Sequence, residues 1–253
     1  MDFSLQKANP WKRISAFLFV AICLSILAVG FGTLISLLTG YSGKTEKMNA
    51  AFSRYEQEYG VTFSITEETY EQYSEEEKAK YDAAYAALTA DKEAMILYQQ
   101  VVNLMLIMVT FSLLAAFLIL EFIVPLKMGH GRSFGKKIFG LAVTDTDSVK
   151  LKSAALFVRS ILGKYTIETM IPAYVIMMLF LNTAGLFGTI LLLALLVIQI
   201  VMYFSTQTRS LLHDKLASSV VVDYASQMIF ETREDMIEAK SKAAAEKAAH
   251  QEW

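Results

Sequence analysis

The amino-acid sequence predicts an all-α membrane protein: a four-transmembrane-helix bundle with an extracellular helical hairpin and a small cytoplasmic β element. Three observations predict it. Of 253 residues, 55% are hydrophobic, and they fall in long blocks. The charged residues gather between the blocks, with opposite bias in successive segments. Two short β-branched runs flank the last blocks, at Leu141–Thr144 and Ser218–Asp223.

A helix needs ~20 mostly apolar residues to cross a bilayer core. The first block, from Ile14 to Gly43, carries no charge and holds a span of about Ile14 to Leu38. It is longer than a signal-peptide core and lacks a small-residue cleavage site at its far end, so no cleavable signal is expected. Ala94 to Leu120 is also uncharged, and with Phe122 to Pro125 it makes a second span interrupted by Glu121. Thr169 to Thr208 is a run of 40 residues without a charge. As one helix it would reach ~60 Å, about twice the hydrocarbon core, so it must turn. Asn182 to Gly185 supplies turn-forming types. The expected third span is Tyr165 to Asn182, with Glu168 and Pro172 near its start, and the fourth is Leu186 to Thr206.

Orientation follows from charge. Lys127 to Lys164 holds eight Lys or Arg and two acids, whereas residues 42–94 hold six Lys or Arg and twelve acids. Cytoplasmic loops carry the excess of basic residues. The N-terminus, the basic loop and the C-terminus are therefore expected in the cytoplasm, in a multi-pass protein of the plasma membrane. The chain divides into residues 1–41 (N-terminus and first span), 42–93 (acidic extracellular helices) and 94–126 (second span). Residues 127–164 form the basic loop, 165–206 the third and fourth spans, and 207–253 the cytoplasmic C-terminal segment and helical tail.

Outside the spans, Ser74 to Glu77 reads as a capping box opening a helix, and Thr89 as the cap of a helix entering span two. Leu141–Thr144, Val149–Leu151 and Ser218–Asp223 read as strands pairing into a small sheet. Ser153–Leu162 reads as a short interfacial helix. The lone Cys23 allows no intramolecular disulfide.

Three segments in order resemble the RDD family of small bacterial membrane proteins: Trp11–Val20, Gly131–Val143 and Leu212–Val221. Arg159 matches an arginine common before the family's third span. The family is named for an arginine and two aspartates. Arg13 and Asp214 match two of these, and Val20 stands where the first-span aspartate falls. The resemblance implies transport of small cations or protons, including sodium/proton exchange proposed for some members.

Glu121 lies six residues before Lys127, ~9 Å inside a straight helix, and Val20 lies ~10 Å beyond Arg13, at similar depth. A carboxylate in hydrocarbon must face the bundle and find a partner or a proton. Glu121 either serves a proton or cation relay, or pairs with Arg13 or a hydroxyl, or snorkels. Arg13 either anchors the helix at the membrane or joins a buried network. His213 and Asp214 either relay protons or cap a turn. Glu168 is expected to reach water or pair with Lys164, four residues earlier. Arg132, Lys136, Lys137 and Arg159 are candidates for anionic lipid headgroups.

Gly131–Lys137 is one residue short of a nucleotide-binding loop and has Lys137 where the hydroxyl belongs. The histidines are scattered, so no metal site is expected, nor any cofactor. No nucleophile context suggests an enzyme, and the basic loop lacks the aromatics of a nucleic-acid site. Two functions remain. One is a transporter or accessory subunit moving small cations or protons, oligomeric because four spans are few. The other is a non-catalytic assembly, scaffold or envelope-maintenance protein with a membrane partner. The lipid bilayer is the common partner of both.

Overall fold

The computed structural model describes residues 5–181, 183–206 and 208–251. Helix α1 (Pro10–Thr39) is followed by α2 (Tyr41–Tyr59), α3 (Glu67–Glu71), α4 (Glu75–Ala90) and α5 (Lys92–Phe117). The last continues through a wide-turn π stretch, π1 (Leu118–Ile123), into α6 (Val124–Met128). Then come α7 (Phe134–Ile138), β1 (Leu141–Asp145) and α8 (Ser153–Phe157). A second wide-turn stretch, π2 (Val158–Met170), leads into α9 (Ile171–Phe180). The chain ends with α10 (Gly185–Ser205), α11 (Leu212–Leu216), β2 (Ser219–Asp223) and α12 (Arg233–Gln251).

Among the described residues three helices are long and apolar enough to cross a membrane: Pro10–Thr39, Lys92–Met128 and Gly185–Ser205. Their apolar side chains are largely exposed, including Phe17, Ile26, Leu34, Leu186, Phe187 and Phe204. Such surfaces are expected of helices solvated by lipid tails. The expected third span falls differently. Its first half lies in π2, where Tyr165 and Met170 are buried, and α9 has ten residues. The hydrophobic run there is shared between packing inside the protein and an apolar exterior, so hydropathy alone overstated its length as a free span. Asn182, named for the turn, lies outside the described residues.

Two compact units divide the chain: Val29–Ser112, and Met1–Ala28 with Leu113–Trp253. In the first, Gly40 breaks the chain between α1 and α2 at φ 65, a left-handed conformation that costs glycine little. Helices α2 and α4 pack against each other as the expected hairpin. Ser74 caps α4 with the full reciprocal box to Glu77. An aromatic cluster fills the hairpin, with Phe63 5.9 Å from Tyr81 and 6.0 Å from Phe52 between ring centroids. The cap entering span two is Asp91, not Thr89. Asp91 Oδ1 accepts from the backbone N–H of Glu93 at 2.9 Å and of Ala94 at 3.1 Å, while Thr89 lies inside α4 and bonds back to Tyr85.

In the second unit β1 and β2 pair antiparallel, Leu141 opposite Asp223 and Asp145 opposite Ser219. Side chains alternate between faces with the period of two. Leu141, Val143 and Val221 pack with Ala8 and Ala16, while Ala142, Val220 and Val222 pack with Leu5 and Ile229. The third expected strand reduces to isolated bridges, Thr144 to Lys150 and Val149 to Phe230. Ser153–Leu162 is not a separate surface helix. It runs into π2 with Leu156, Arg159, Ser160 and Ile161 buried.

Candidate functional site

Four elements, π1, α7, π2 and α11, converge where α1 begins. Helix α11 lies on π2 so closely that a Cβ on Gly163 would stand 2.5 Å from the Cβ of His213 and 2.7 Å from its Cα. Helix α7 meets α1 the same way, and a Cβ on Gly135 would collide with the carbonyl oxygen of Ala16. Beside it Val20 is 7% exposed. These approaches press polar side chains from α1, π1, α7, π2 and α11 into one buried cluster.

Asp214 is its anchor, with a side chain 0% exposed. Its Oδ1 accepts from Arg159 Nε at 3.0 Å and Nη2 at 2.5 Å. Its Oδ2 accepts from the Leu211 backbone N–H at 3.3 Å and from Arg13 Nη2 at 3.5 Å. Arg159 Nε also donates to the Ser219 hydroxyl at 3.1 Å, tying the pair to β2. Asp214 therefore takes the expected role of an acceptor at a helix start, and it also anchors a buried charge network. Burial pushes its pKa upward, but Arg159, His213 and Arg13 outweigh burial and hold the carboxyl below the usual range.

Next to it, the His213 ring lies between two carboxylates. Nδ1 is 2.7 Å from Glu168 Oε2, and Nε2 is 3.5 Å from Asp214 Oδ1. The His213 backbone N–H donates to Glu168 Oε1 at 3.0 Å. Burial lowers the imidazole pKa below its ordinary value, against the pull of Asp214. The fold thus prefers the neutral ring. The stability this preference confers is complete above the unfolded value, ~6.5, and is lost as pH falls below it. Asp214 adds loss in the same direction, but in a window below ~3.9. The melting midpoint of the purified protein should therefore fall on acidification from pH ~7 to ~5. His213→Gln should flatten that slope. An equal slope in both proteins would remove His213 as its source.

A second group surrounds Glu121, which is 2% exposed inside π1. Lys164 Nζ donates to its Oε2 at 2.5 Å, and Lys136 Nζ lies 3.6 Å away. Lys136 also donates to Ser133 Oγ at 3.2 Å. Burial draws the Lys136 ammonium down to about 7, with Glu121 opposing. Wide π turns in helices recur at functional sites because they reorient single side chains.

Several sequence expectations change here. The partners of Glu121 are Lys164 and Lys136, not Arg13. Glu168 pairs with His213, not with Lys164, because the wide turn of π2 alters the i,i+4 alignment. Of the four headgroup candidates, Lys136 and Arg159 are sealed inside and face carboxylates, since buried charges must be paired. Lys137 is exposed, and the half-buried Arg132 guanidinium lies 4.1 Å from the Tyr224 ring centroid. Arg13 lies in the network, where Nη1 donates to the Thr208 carbonyl at 3.3 Å. Lys164, Ser133, Gln199 and Ser219 join the site without having been singled out for it. The uncharged ones carry no sequence signal of burial.

The two groups share a cavity of about 550 Å³. Arg13, Glu121, Lys136, Arg159, Lys164, Glu168 and His213 line it together with Ile14, Phe17, Val20, Leu24, Phe117 and Leu141. No curated protein and no solved structure matches the chain. The sequence model of the RDD family matches residues 7–218. That span contains Arg13, Glu121, Lys136, Arg159, His213 and Asp214, the charged framework of the cavity, and the chain belongs to the RDD family.

Proposed function

We propose that the protein is a multi-pass plasma-membrane transporter, or an accessory subunit of one, that moves protons. It is not an enzyme in this reading. It crosses the bilayer four times, with α9 and the end of π2 completing a span, and both termini are cytoplasmic. The acidic hairpin is then extracellular, and the cavity opens at the inner half of the membrane. A chain with four spans works as an oligomer or with a membrane partner.

The observation that carries the reading is the His213 ring held between Glu168 and Asp214 on the wall of a cavity that Glu121 also lines. An imidazole can accept a proton at one nitrogen and release it from the other. Protons are favoured over metal cations because Glu121 is engaged by two lysines and Asp214 by two arginines. A metal cation would have to displace those charges.

Proteoliposomes loaded with a pH-sensitive dye test this directly. The wild-type protein should dissipate an imposed pH gradient. Glu121→Gln should slow dissipation by about 100-fold or more, the scale on which a positioned proton carrier acts, while running as a folded species in size exclusion. Unchanged flux would remove Glu121 from the path. The same satisfied ion pairs favour a second reading, a membrane scaffold. Absence of flux together with a stably co-purifying membrane partner would select it.

A further inference from the structure

The wall of the cavity is unbalanced in charge. Arg13, Lys136, Arg159 and Lys164 line it against two carboxylates, Glu121 and Glu168. Counting Asp214, buried behind the wall, three acids face Arg13, Arg159 and Lys164, with Lys136 as a fourth cation when protonated. Arg209 adds a further positive charge near Arg13. The cations also keep donors in reserve. Among the described residues Arg13 uses two of its five N–H donors in hydrogen bonds, at 3.3 and 3.5 Å. Lys164 uses one of three. These two are the most accessible of the four, with side chains 12% and 18% exposed.

Besides Ser133, Thr169, Gln199, Tyr203 and His213, the rest of the wall is hydrocarbon. Ile14, Phe17, Val20, Ala21 and Leu24 of α1 line the cavity with Phe117. Ile14 and Phe17 are also exposed on the outer flank of α1, which reads as a lipid-facing helix. The cavity therefore joins an anion-favouring end to an apolar wall continuous with the membrane-facing surface. Val20 matters most here. It sits on the wall, where a carboxylate would offset one positive charge, and as valine it leaves the surplus positive.

We infer that this cavity binds one anionic phospholipid of the surrounding leaflet, its phosphate against Arg13 and Lys164 and one acyl chain along Ile14, Phe17, Val20 and Leu24. The inference rests on the membrane orientation of the transport reading, which places the cavity at the inner leaflet. Arginine presents a planar fork to phosphate oxygens, and lysine a point charge. The cavity volume lies within the range of small-ligand sites. It takes the head and the start of a chain, while the remainder lies in the bilayer. A lipid seated there covers the face of the cavity on which Glu121, Glu168 and His213 lie, so its departure would govern water access to them.

The test uses the full-length protein in neutral detergent, titrated with phosphatidylglycerol, with phosphatidylcholine of the same acyl chains, and with inorganic phosphate. Native mass spectrometry reads bound adducts, and thermal melting reads stabilisation. Phosphatidylglycerol should be retained at one copy and bind at least about tenfold tighter than phosphatidylcholine, which is about 1.4 kcal/mol. Val20→Asp should remove that preference and Val20→Asn should keep it. Both variants place a polar group of similar size, so a loss in Val20→Asp alone reports charge rather than packing. Equal retention of the two lipids, equal stabilisation by inorganic phosphate, or an undiminished preference in Val20→Asp overturns the inference. Wild-type protein that holds phosphatidylglycerol but moves no protons overturns the transport reading alone. Proton flux without lipid preference overturns this one alone.

Discussion

Replacing Asp214 by Ala should cost about 3–5 kcal/mol of stability, the scale for removing one partner of a buried ion pair. Arg159 is the reason. It is 2% exposed and is held by Asp214 Oδ1 through two nitrogens, with the Ser219 hydroxyl as its other hydrogen-bond partner among the described residues. Without the carboxylate a guanidinium that cannot lose its proton sits in a low-dielectric interior. The loss spreads to both sides of the site. Leu211 loses an acceptor for its backbone N–H and Arg13 loses its carboxylate. Asp214→Asn should do less damage, because its amide oxygen still accepts a hydrogen bond. Combining Asp214→Leu with Arg159→Met should recover much of the loss, since buried ion pairs are often replaceable by apolar pairs. Detergent melts of the four proteins decide it. A single Asp214→Ala variant with an unchanged midpoint would show that the cluster is more hydrated than its burial indicates.

Gly163→Ala should be nearly as damaging, for a steric reason. The new methyl would meet both Cβ and Cα of His213 inside contact distance, at 2.5 and 2.7 Å. Rotation of the His213 side chain relieves neither contact, so α11 must move away from π2. Overpacking of this kind costs about 1–3 kcal/mol. Here it also pulls His213 from Glu168 and Asp214 from Arg159, so the upper end or beyond is expected. Gly43→Ala is the matched control. It lies within α2 with open space around the site and no positive φ, so alanine there should be neutral or stabilising by about 0.5–1 kcal/mol. A Gly163→Ala protein that melts with wild type and keeps its histidine-dependent acid slope would contradict the close packing of α11 on π2.

Family membership was legible in the sequence because its signals are local: Arg13 at the mouth of one apolar block, Gly135 and Lys136 before a β-branched run, and His213 and Asp214 after the last block. The sheet was legible for the same reason, as β1 and β2 announce themselves by composition. The charge partners were not. The sequence distance from Asp214 to Arg159 is 55 residues, and from Glu121 to Lys164 it is 43. An i,i+4 rule offered Lys164 to Glu168 instead, and π2, which holds both residues, defeats that rule by changing the helical phase. Lys136 and Arg159 read as surface cations because a basic loop beside a membrane normally presents its charges to headgroups. Which charge is buried depends on what covers it.

By itself the sequence determined the solvent and the local elements. Runs of uncharged apolar residues settle for three helices that they are of membrane-crossing length and apolarity, and a capping box or a β-branched run settles a helix start or a strand. These depend on transfer energies and backbone preferences summed over neighbours in the chain. Only the tertiary structure decided the site. Two glycines without side chains, Gly135 and Gly163, let α7 and α11 approach close enough to gather five basic or imidazole groups with three acids, Glu121, Lys136, Arg159, His213 and Asp214 among them buried. Coulomb energy depends on distance in space and on local dielectric, and no reading of residue order supplies either.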